Sequence, residues 1–574
     1  YTFKGIWLMV FSNNLLMGAA STTAAPAAGW VPKGAIWLDG TADYLTRTNS
    51  GSATSDKTFT VSYWFKNANP DFSSNTNYYH WGGTSGGSGL SGDYLGVGIG
   101  AGAAAGEPEY NYYWNGGSYG VTSDAKFRDP TAWQHFVCII DTPNVSSANR
   151  NLVYHNGKLI SWESGTDATL NQQFKYMQDT EKQFWGVMGY FNGTETYTPG
   201  YFSECALVDG LALGPENFGT EDSNGVWIPK DLTGLTWGNY GFWLDFADTT
   251  STTTIGYDVS GNGNHFTTSS FASGTSNWTY DRPADSGSDT GNYATLNNLL
   301  KSTGTFSNAN RTFYADSQSA GHSAVSTQVM TSGTYYAEFV VDSWSSANYA
   351  MFGIATTEFV TSGDYASNYV GQDANSWGYY GDGSVYTNGS GTSSGYTSYT
   401  IGDIIGVKLD ATNGDVYFYK DGTVQNSGSA AYSGLTGPFV FAVSNAGGST
   451  SNTTTSNFGQ TAFSHQPAST STLATQNQPS VTVTKPSNNF LPILYEGNGD
   501  GQGNFIPFTD SKTVNYSARF DSGDSDYLEK TFSSSEGGYW TFSTWFKPAG
   551  NTGSYRTLLQ AGTAGGSRQG IQIQ

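Results

Sequence analysis

The sequence has few cysteines and few charged residues. Its 574 residues include 2 Cys and 6 His, and charged residues make up 12%. Two cysteines are too few for a disulfide framework or a zinc-ligand spacing, so we expect Cys138 and Cys205 to be buried as small hydrophobic residues rather than bridged. Lys and Arg number 24 against 46 Asp and Glu, which gives a formal net charge of −22. Because no basic run occurs, we expect no nucleic-acid partner.

Glycine and aromatic residues, in contrast, are abundant. The chain has 74 Gly, and aromatics make up 15% of it. Glycine-rich turns, Ser/Thr-rich strand faces and many Tyr and Trp favour antiparallel β-sandwiches. The one reasonable candidate for a helix, residues 172–184, is short. The length predicts three or four domains of about 150 residues each, so the fold class is all-β and multidomain.

One phrase occurs twice, far apart in the chain. Residues 42–50 read ADYLTRTNS and residues 525–533 read SDYLEKTFS. An aromatic strand follows each copy, FTVSYWFK from Phe59 and WTFSTWFK from Trp540. The separation is far longer than a solenoid repeat of about 20–50 residues. We therefore predict a duplicated domain with other domains between the copies.

The two ends of the chain allow more than one interpretation. Lys4, the apolar run to Phe11 and the Ala-rich stretch 19–28 match a signal peptide loosely. Asn13 and Asn14 interrupt that pattern, and the run is too short to cross a membrane. Translation from Met9 is the interpretation we favour. The second copy reaches about 60 residues where the first needs about 180, by the usual size of sandwiches, so we expect a truncated domain there.

Residues 34–215 carry an ordered set of strand signals. Trp133 and His135 precede an apolar strand, and Asn156-Gly157 separates two more strands, which is the strongest short hairpin signal. A closing strand at 201–208 leads into VDGLALGPE. This order resembles a laminin-G-like domain of the concanavalin A type, and the resemblance implies a two-sheet sandwich.

A second ordered set covers residues 293–460. It consists of YYAEFVV from Tyr335, AMFGIA from Ala350, GDIIGVKLD from Gly402 and GDVYFYKDG from Gly414. The Asp421-Gly422 pair predicts another two-residue hairpin. This set closely resembles a SPRY domain, which implies a second sandwich of the same two-sheet architecture.

The remaining segments complete the domain plan. Residues 1–33 are a leader, and residues 216–292 form a connector with strand character. The DVSGNGNH turn from Asp258 resembles the opening turn of laminin-G-like domains, or belongs to a strand appended to a neighbouring sandwich. Residues 461–509 are predicted to be an exposed linker because 467–486 is rich in Ser, Thr, Gln and Pro. Residues 510–574 are the truncated second laminin-G-like sandwich.

The whole order resembles structural proteins of tailed bacteriophages from environmental samples. The carrying phrases are NNLLMGAA from Asn13, VWIPK from Val226, SGNGN from Ser260, the SPRY core and NFGQ from Asn457. The resemblance implies a virion-associated, extracellular location and a tail-fibre or other host-contacting role. It also implies other virion proteins as partners, and we expect a homo-oligomer.

No pattern of catalytic residues is found. Glycan-degrading sandwiches of the laminarinase type carry alternating carboxylates on one strand, and no such run occurs. Glu107 and Glu109 flank Pro108, which disfavours a central strand, so we expect them in a solvated loop. His135 and His155 lie on neighbouring predicted strands, where a structural role is expected. Neither a nucleophile elbow nor a phosphate loop is present, so we predict no catalytic residues.

Two aromatic loops are candidates for ligand binding. The candidate glycan contacts are Tyr112, Tyr113, Trp114 and Asn115 in the first loop, and Trp377, Tyr379, Tyr380 and Asp382 in the second. Exposed Tyr and Trp with Gly and Asn make a typical binding surface, but the same aromatics could pack in a sheet. Calcium, the one candidate cofactor, prefers clustered oxygens. Its candidate ligands are Asp39, Asp43, Asp521, Asp524 and Asp526, which tight Asp-rich turns would explain equally well.

Together these observations predict a non-enzymatic, virion-associated adhesin. It would bind host-surface glycans or a receptor through lectin-like sandwich domains, without membrane insertion. One alternative is a purely structural virion component that packs in the capsid or tail. Another is a glycan-degrading enzyme.

Overall fold

The computed structural model describes most of the chain up to residue 479. The described ranges are 30–69, 77–84, 95–101, 108–114, 119–127, 129–191, 194–222, 226–271, 277–284, 291–301, 304–316, 322–345, 348–445, 450–479, 556–561 and 569–573. The chain divides into two compact units, Tyr1–Ser511 and Lys512–Gln574. Within these ranges, no helix is both long and apolar enough to span a bilayer.

The first sandwich is built from antiparallel strands. They are β1 (Ala35–Leu38), β2 (Tyr44–Thr48), β3 (Thr58–Asn67), β4 (Asn77–Thr84), β5 (Leu95–Ala101), β6 (Pro108–Trp114), β7 (Tyr119–Lys126), β8 (Gln134–Asp141), β9 (Asn151–His155), β10 (Lys158–Leu159), β11 (Trp162–Gly165), β12 (Lys182–Trp185), β13 (Val187–Phe191), β14 (Thr194–Tyr197), β15 (Gly200–Asp209), β16 (Gly219–Glu221), β17 (Trp227–Pro229), β18 (Phe242–Leu244), β19 (Thr267–Ser269) and β20 (Trp278–Thr279).

Two large sheets and two hairpins organise these strands. One sheet has the order β10-β9-β8-β3-β15-β1-β20 with β18 beside β15, and the other has the order β11-β7-β6-β5-β4-β12-β2-β19. The hairpins are β13–β14 and β16–β17. Alternation along β3 sends Phe59, Val61 and Tyr63 into the core between the sheets, as strand geometry requires. Asn156 and Gly157 form the predicted hairpin turn with φ of 47° and 78°.

The region predicted as a connector contributes strands to this sandwich. β18 pairs with β15, β19 with β2 and β20 with β1. Phe218, Leu232 and Trp237 cover Val137 and Val208 on the outer face of the first sheet. This arrangement matches the appended-strand alternative for the region, and it extends the first sandwich well beyond residue 215.

Two local expectations for the first sandwich can be checked. The helix predicted over 172–184 is wrong, because this stretch holds a short 3-10 helix, Lys175–Met177, and the start of β12. β12 pairs with β2 on one side and β4 on the other, so sheet pairing outweighs the weak helical preference. Cys138 and Cys205 are free and buried, as predicted.

The second sandwich lies within residues 293–479. Its strands are β21 (Leu296–Lys301), β22 (Thr305–Ser307), β23 (Thr312–Ala315), β24 (His322–Ser326), β25 (Thr334–Trp344), β26 (Ala350–Thr356), β27 (Ser376–Tyr380), β28 (Val385–Thr387), β29 (Ser390–Thr392), β30 (Ile404–Asp410), β31 (Asp415–Lys420), β32 (Thr423–Val424), β33 (Phe439–Asn445) and β34 (Asn452–Asn457). The sheet orders are β21-β24-β33-β26-β27-β28-β29 and β22-β23-β34-β25-β30-β31-β32.

Helical structure is sparse in the described ranges. The single α-helix there is α1, Thr357–Thr361, which follows β26. The remaining 3-10 turns are Ser147–Asn149, Pro215–Asn217, Thr254–Gly256, Asp364–Ala366, Asn426–Gly428 and Thr475–Asn477. The prediction of an all-β, antiparallel, multidomain fold is therefore confirmed. In the second unit the structure describes the hairpin of β35 (Arg556–Ala561) and β36 (Gln569–Ile573).

The start of the predicted linker packs on the second sandwich. We call residues 461–478 the strap. Leu473 is fully buried in the core, and the backbone N–H of Ser471 donates to Thr334 O at 2.9 Å. Glu338 accepts the N–H groups of Ser464 and His465 at 2.8 and 2.6 Å. The expectation of an exposed linker is therefore wrong for the strap.

A buried polar contact joins the two sandwiches. Lys66 of β3, 1% exposed, donates from Nζ to Asp281 Oδ2 at 2.7 Å, Asn292 Oδ1 at 2.8 Å and Tyr293 O at 2.7 Å. Trp133 Nε1 donates to the other oxygen of Asp281 at 2.7 Å. Burial lowers the pKa of Lys66 and raises that of Asp281. Each charged group is thus fully surrounded by partners, which is the condition for burying a pair at tolerable cost.

Candidate binding site

The first aromatic loop lies at strand β6. Tyr112, Tyr113 and Trp114 pair through their backbones with Val97, Gly96 and Leu95 of β5. The structure describes these three positions by their backbone, and Asn115 lies outside the described residues. Their role as glycan contacts stays a prediction.

Strand β27 divides the second aromatic loop between two faces. Trp377 and Tyr379 point into the core and are 8% and 0% exposed. The Tyr379 hydroxyl donates to Thr397 O. Because side chains alternate along a strand, residues two apart share a face, and here that face is the interior. Trp377 and Tyr379 are therefore packing residues in this fold, which corrects their assignment as glycan contacts.

Tyr380 points to the opposite, outer face, where its ring contacts two other tyrosines, one of which contacts a third. Its ring centroid lies 6.0 Å from that of Tyr349 and 5.8 Å from that of Tyr386. The Tyr386 ring lies 6.4 Å from that of Tyr369. All four side chains are half-buried. We call Tyr349, Tyr369, Tyr380 and Tyr386 the tyrosine face.

Glycines make room for these rings at the end of the sheet. Tyr386 of β28 stands between Gly378 of β27 and Gly391 of β29. A Cβ on Gly391 would lie 2.6 Å from Cζ of Tyr386, so the ring lies directly over this glycine. A Cβ on Gly381 would lie 2.3 Å from Nδ2 of Asn348. At both positions a side chain would force the neighbouring side chain to shift, so glycine gives these neighbours their place.

The hydroxyls of the tyrosine face are not used for hydrogen bonding within the described part of the chain. Among the residues that the structure describes, none of the four hydroxyls has a hydrogen bond to the chain. Burial raises the pKa of Tyr380, and nearby Tyr349 and Asp382 add to the shift. Asp382 is exposed, and its Oδ1 accepts the N–H of Ser384 at 2.7 Å. The hydroxyls can therefore donate to or accept from a partner, beside one carboxylate.

The calcium candidates of the first copy form an Asp turn. Oδ1 of Asp39 accepts the N–H groups of Thr41 at 2.8 Å, Ala42 at 3.0 Å and Asp43 at 3.1 Å. Despite partial burial, these hydrogen bonds and that from the Thr41 hydroxyl lower the pKa of Asp39. Burial and the adjacent Asp39 raise the pKa of Asp43 to about 6. The turn alternative therefore accounts for both residues.

No wider metal cluster supports calcium in the described part of the chain. There, no group of three or more His, Cys, Asp or Glu side chains could hold an ion. The candidates Asp521, Asp524 and Asp526 lie outside the described residues, and calcium binding by them stays a prediction.

Glu109 differs from its expected environment. It is buried in β6, where Lys126 of β7 donates to it, so the expectation of a solvated loop is wrong. Pro108 is tolerated because it is the first residue of the strand. Glu107 lies outside the described residues.

The two strand histidines are buried side chains of the first sandwich. His135 accepts from Trp227 Nε1 at 2.9 Å through Nδ1, and its Nε2 meets Ser62 Oγ at 2.8 Å. His155 packs its ring against Phe127 and Phe136, and both of its nitrogens lack hydrogen bonds. Burial lowers the pKa of each to about 3, so both are neutral near pH 7.

Comparison with known proteins identifies the second sandwich. Residues 334–461 match the family model described as the SPRY domain. This part of the chain is a SPRY domain. SPRY domains are binding modules for other molecules, and the tyrosine face belongs to this one. The laminin-G-like and bacteriophage resemblances stay predictions.

Solved structures show distant similarity over 28–29% of the chain. The SPRY domain of human HERC1 is 16% identical, with 28% of this chain and 96% of that chain covered and a TM-score of 0.25. The TRIM65 PSpry domain is 16% identical, with 29% and 89% covered and a TM-score of 0.22. Stonustoxin is 17% identical, with 29% and 27% covered and a TM-score of 0.23. No curated protein matches.

Sequence reasoning missed three of the four tyrosines that form the face. Tyr349, Tyr369 and Tyr386 come from three different segments, and only the folded sheet brings them to Tyr380. For β27 the sequence did contain a signal, because alternation along a strand predicts that Tyr380 lies on the face opposite to Trp377 and Tyr379.

Proposed function

We propose that this chain is a non-enzymatic adhesin of a virion that binds a host-surface glycan or receptor through its SPRY domain. The observation that carries the proposal is the tyrosine face, four half-buried rings joined by three ring contacts, whose hydroxyls have no hydrogen bond to the described residues. The bacteriophage resemblance supports the location, and the SPRY match supports a binding role.

The physical case rests on what tyrosine offers a partner. Each ring supplies a rigid apolar surface, while its hydroxyl donates or accepts a hydrogen bond. Ring faces pack on the CH groups of a sugar or on apolar side chains of a protein. Because neighbouring rings already support one another, little side-chain freedom is lost on binding. A duplicated lectin-like sandwich would add avidity.

A structural virion component is the second candidate function. It is favoured by buried hydrogen bonds between the two sandwiches, from Lys66 Nζ to Tyr293 O at 2.7 Å and from the Tyr201 hydroxyl to Ala309 O at 2.8 Å, where one sandwich packs on the other. If the tyrosine face packs in the same way against other virion chains, the isolated protein would bind neither glycan nor receptor.

The test is binding of the purified chain to a broad panel of bacterial surface glycans and to host-cell surfaces, with calcium and with EDTA. We expect saturable binding that the Tyr380→Ala/Tyr386→Ala double variant weakens at least about tenfold, since hot-spot tyrosines contribute at least about 1–2 kcal/mol. Tyr314→Ala is the matched control, because Tyr314 is 41% exposed elsewhere on the second sandwich.

Three outcomes separate the alternatives. Loss of binding in EDTA would indicate calcium. Binding that survives the double variant would place the site elsewhere on the chain. Absence of binding by the folded wild-type protein would favour the structural component. Circular dichroism and thermal melting of each variant verify that it is folded.

A further inference from the structure

We propose that the tyrosine face captures an arginine or lysine side chain of an extended basic segment on a partner protein. This inference rests on the proposed function and specifies the chemistry of its partner. Three features of the chain support it, namely the charge around the face, the angles between its rings and the sheet edge beside it.

Basic residues are absent from the sequence around the face. Between Arg311 and Lys408 the chain has no Lys or Arg, whereas eight acidic residues occur there. Asp382 beside Tyr380 forms no ion pair within the described structure, and the same holds for the exposed Glu358 in the first turn of α1. Within the described residues, Asp382 and Glu358 thus carry negative charge without an ion-pair partner, which favours a cation over phosphate, sulfate or sialate groups.

The rings are arranged to surround a cation rather than to stack flat on a sugar. Tyr386 stands nearly perpendicular to Tyr380, at 84°, and to Tyr369, at 85°. Perpendicular rings form the walls of a notch, so that one ammonium or guanidinium group can approach more than one ring face. A cation is attracted to the electron-rich face of tyrosine, and Asp382 adds Coulomb attraction at the rim.

The open sheet edge next to Tyr386 selects an extended peptide. Strand β29, Ser390–Thr392, ends its sheet, and its three residues are exposed. Asn388 and Gly389 form a two-residue turn that makes Thr387 and Ser390 the hydrogen-bonded pair. The N–H and C=O groups of Gly391 then point outward at the free edge.

This edge is short, which by itself limits strand addition, but it lacks the other common protective features. Ser390–Thr392 contains no charged residue or proline, and in the described part of the chain all three residues are exposed. A peptide that pairs with Gly391 would place alternate side chains on the outer face. Because Gly391 has no side chain and the Tyr386 ring lies over it, such a side chain would meet the tyrosine face directly.

The experiment titrates the full chain into a fluorescein-labelled peptide of alternating threonine and arginine, monitored by anisotropy. The counterpart with citrulline in place of arginine keeps the shape and removes the charge. We expect the arginine peptide to bind at least about tenfold more tightly, the range of cation–π and charged contacts. The Tyr380→Ala/Tyr386→Ala variant should lose at least about tenfold in affinity for the arginine peptide.

A matched pair of charge variants separates the site from general attraction to an acidic chain. Asp382 accepts the N–H of Ser384 at 2.7 Å, and Asp231, also exposed, accepts the N–H of Thr233 at 2.9 Å. Asp382→Asn should weaken binding of the arginine peptide about two- to fivefold, and Asp231→Asn should leave it unchanged. An arginine peptide with an N-methylated backbone retains its charge but should bind poorly, because it cannot add as a strand.

Equal affinity for the arginine and citrulline peptides, or equal effects of Asp382→Asn and Asp231→Asn, would overturn this inference. If the double tyrosine variant loses glycan binding while the arginine peptide never bound, the proposed function stands and the inference fails. If the double variant changes no ligand at all, both fail.

Discussion

At the residue scale, His155 is the side chain for which we expect the clearest effect of pH on stability. Its nitrogens have no hydrogen-bond partner, and its pKa is lowered to about 3 from an ordinary 6.5 by burial. Between pH 6.5 and about 3, His155 is therefore protonated in the unfolded chain and neutral in the folded protein. Above pH 6.5 this difference has no effect on the free energy of unfolding. As the pH falls from 6.5 toward 3, His155 lowers that free energy by about 1.4 kcal/mol per pH unit.

His155→Phe should remove this dependence. Phenylalanine suits a site lined by Phe127 and Phe136, so we expect a change within about 1.5 kcal/mol at pH 7. At pH 5 the variant should gain about 2 kcal/mol relative to the wild type. Urea unfolding at both pH values measures the difference, and His465→Gln, at an exposed position, is the control. An identical pH profile for variant and wild type would show that His155 is protonated in the fold.

Part of the tyrosine face was predictable from the sequence. Trp377, Tyr379, Tyr380 and Asp382 were recognised as a cluster because aromatic residues with Gly and Asp are conspicuous. Which of them face outward follows from the period of two along β27, a signal that was available. The partners of Tyr380 were not foreseeable, because ring contacts between distant segments depend on the order of strands in the sheet.

At the element scale, the strap depends on the carboxylate of Glu338. Two backbone N–H groups donate to it at 2.8 and 2.6 Å, and hydrogen bonds to charged groups contribute about 1.5–3 kcal/mol each. Glu338→Ala should therefore raise hydrogen exchange of Ser464 and His465 about ten- to a hundredfold. Exchange mass spectrometry of peptides from 461–470 measures this.

The control for the strap is Glu358→Ala, since Glu358 is exposed in α1. Equal exchange in the two variants would mean that other contacts hold the strap. Its composition, rich in Ser, Thr and Gln, is that of a linker, which is why sequence alone misplaced it. What fixes the strap is backbone pairing with Thr334 and a pocket for Leu473, and neither leaves a mark in local composition. Hairpins such as Asn156-Gly157 were predictable because their geometry is local.

At the scale of the whole molecule, the question is how the SPRY domain and the first sandwich become one unit. Both were foreseeable as sandwiches from ordered strand signals. The contact between them was not, because Lys66 and Tyr293, whose backbone oxygen accepts from Lys66, are 227 positions apart and no sequence pattern links them. A charged pair can be buried only when each charge has all of its hydrogen-bond and ion-pair partners, and these partners come together only after both sandwiches have formed.

Lys66→Met should separate this contact from ordinary surface pairing. Removal of the ammonium leaves Asp281 buried without its cation, so we expect a loss of about 3–5 kcal/mol in the free energy of unfolding. Lys33→Met is the matched control, because Lys33 pairs with Asp245 at 3.2 Å with its side chain 54% exposed, and it should lose less than about 1 kcal/mol. The double variant Lys66→Met/Asp281→Asn should recover part of the loss. Urea unfolding measures all three, and similar losses for Lys66→Met and Lys33→Met would show that the sandwiches are held together by their apolar contacts instead.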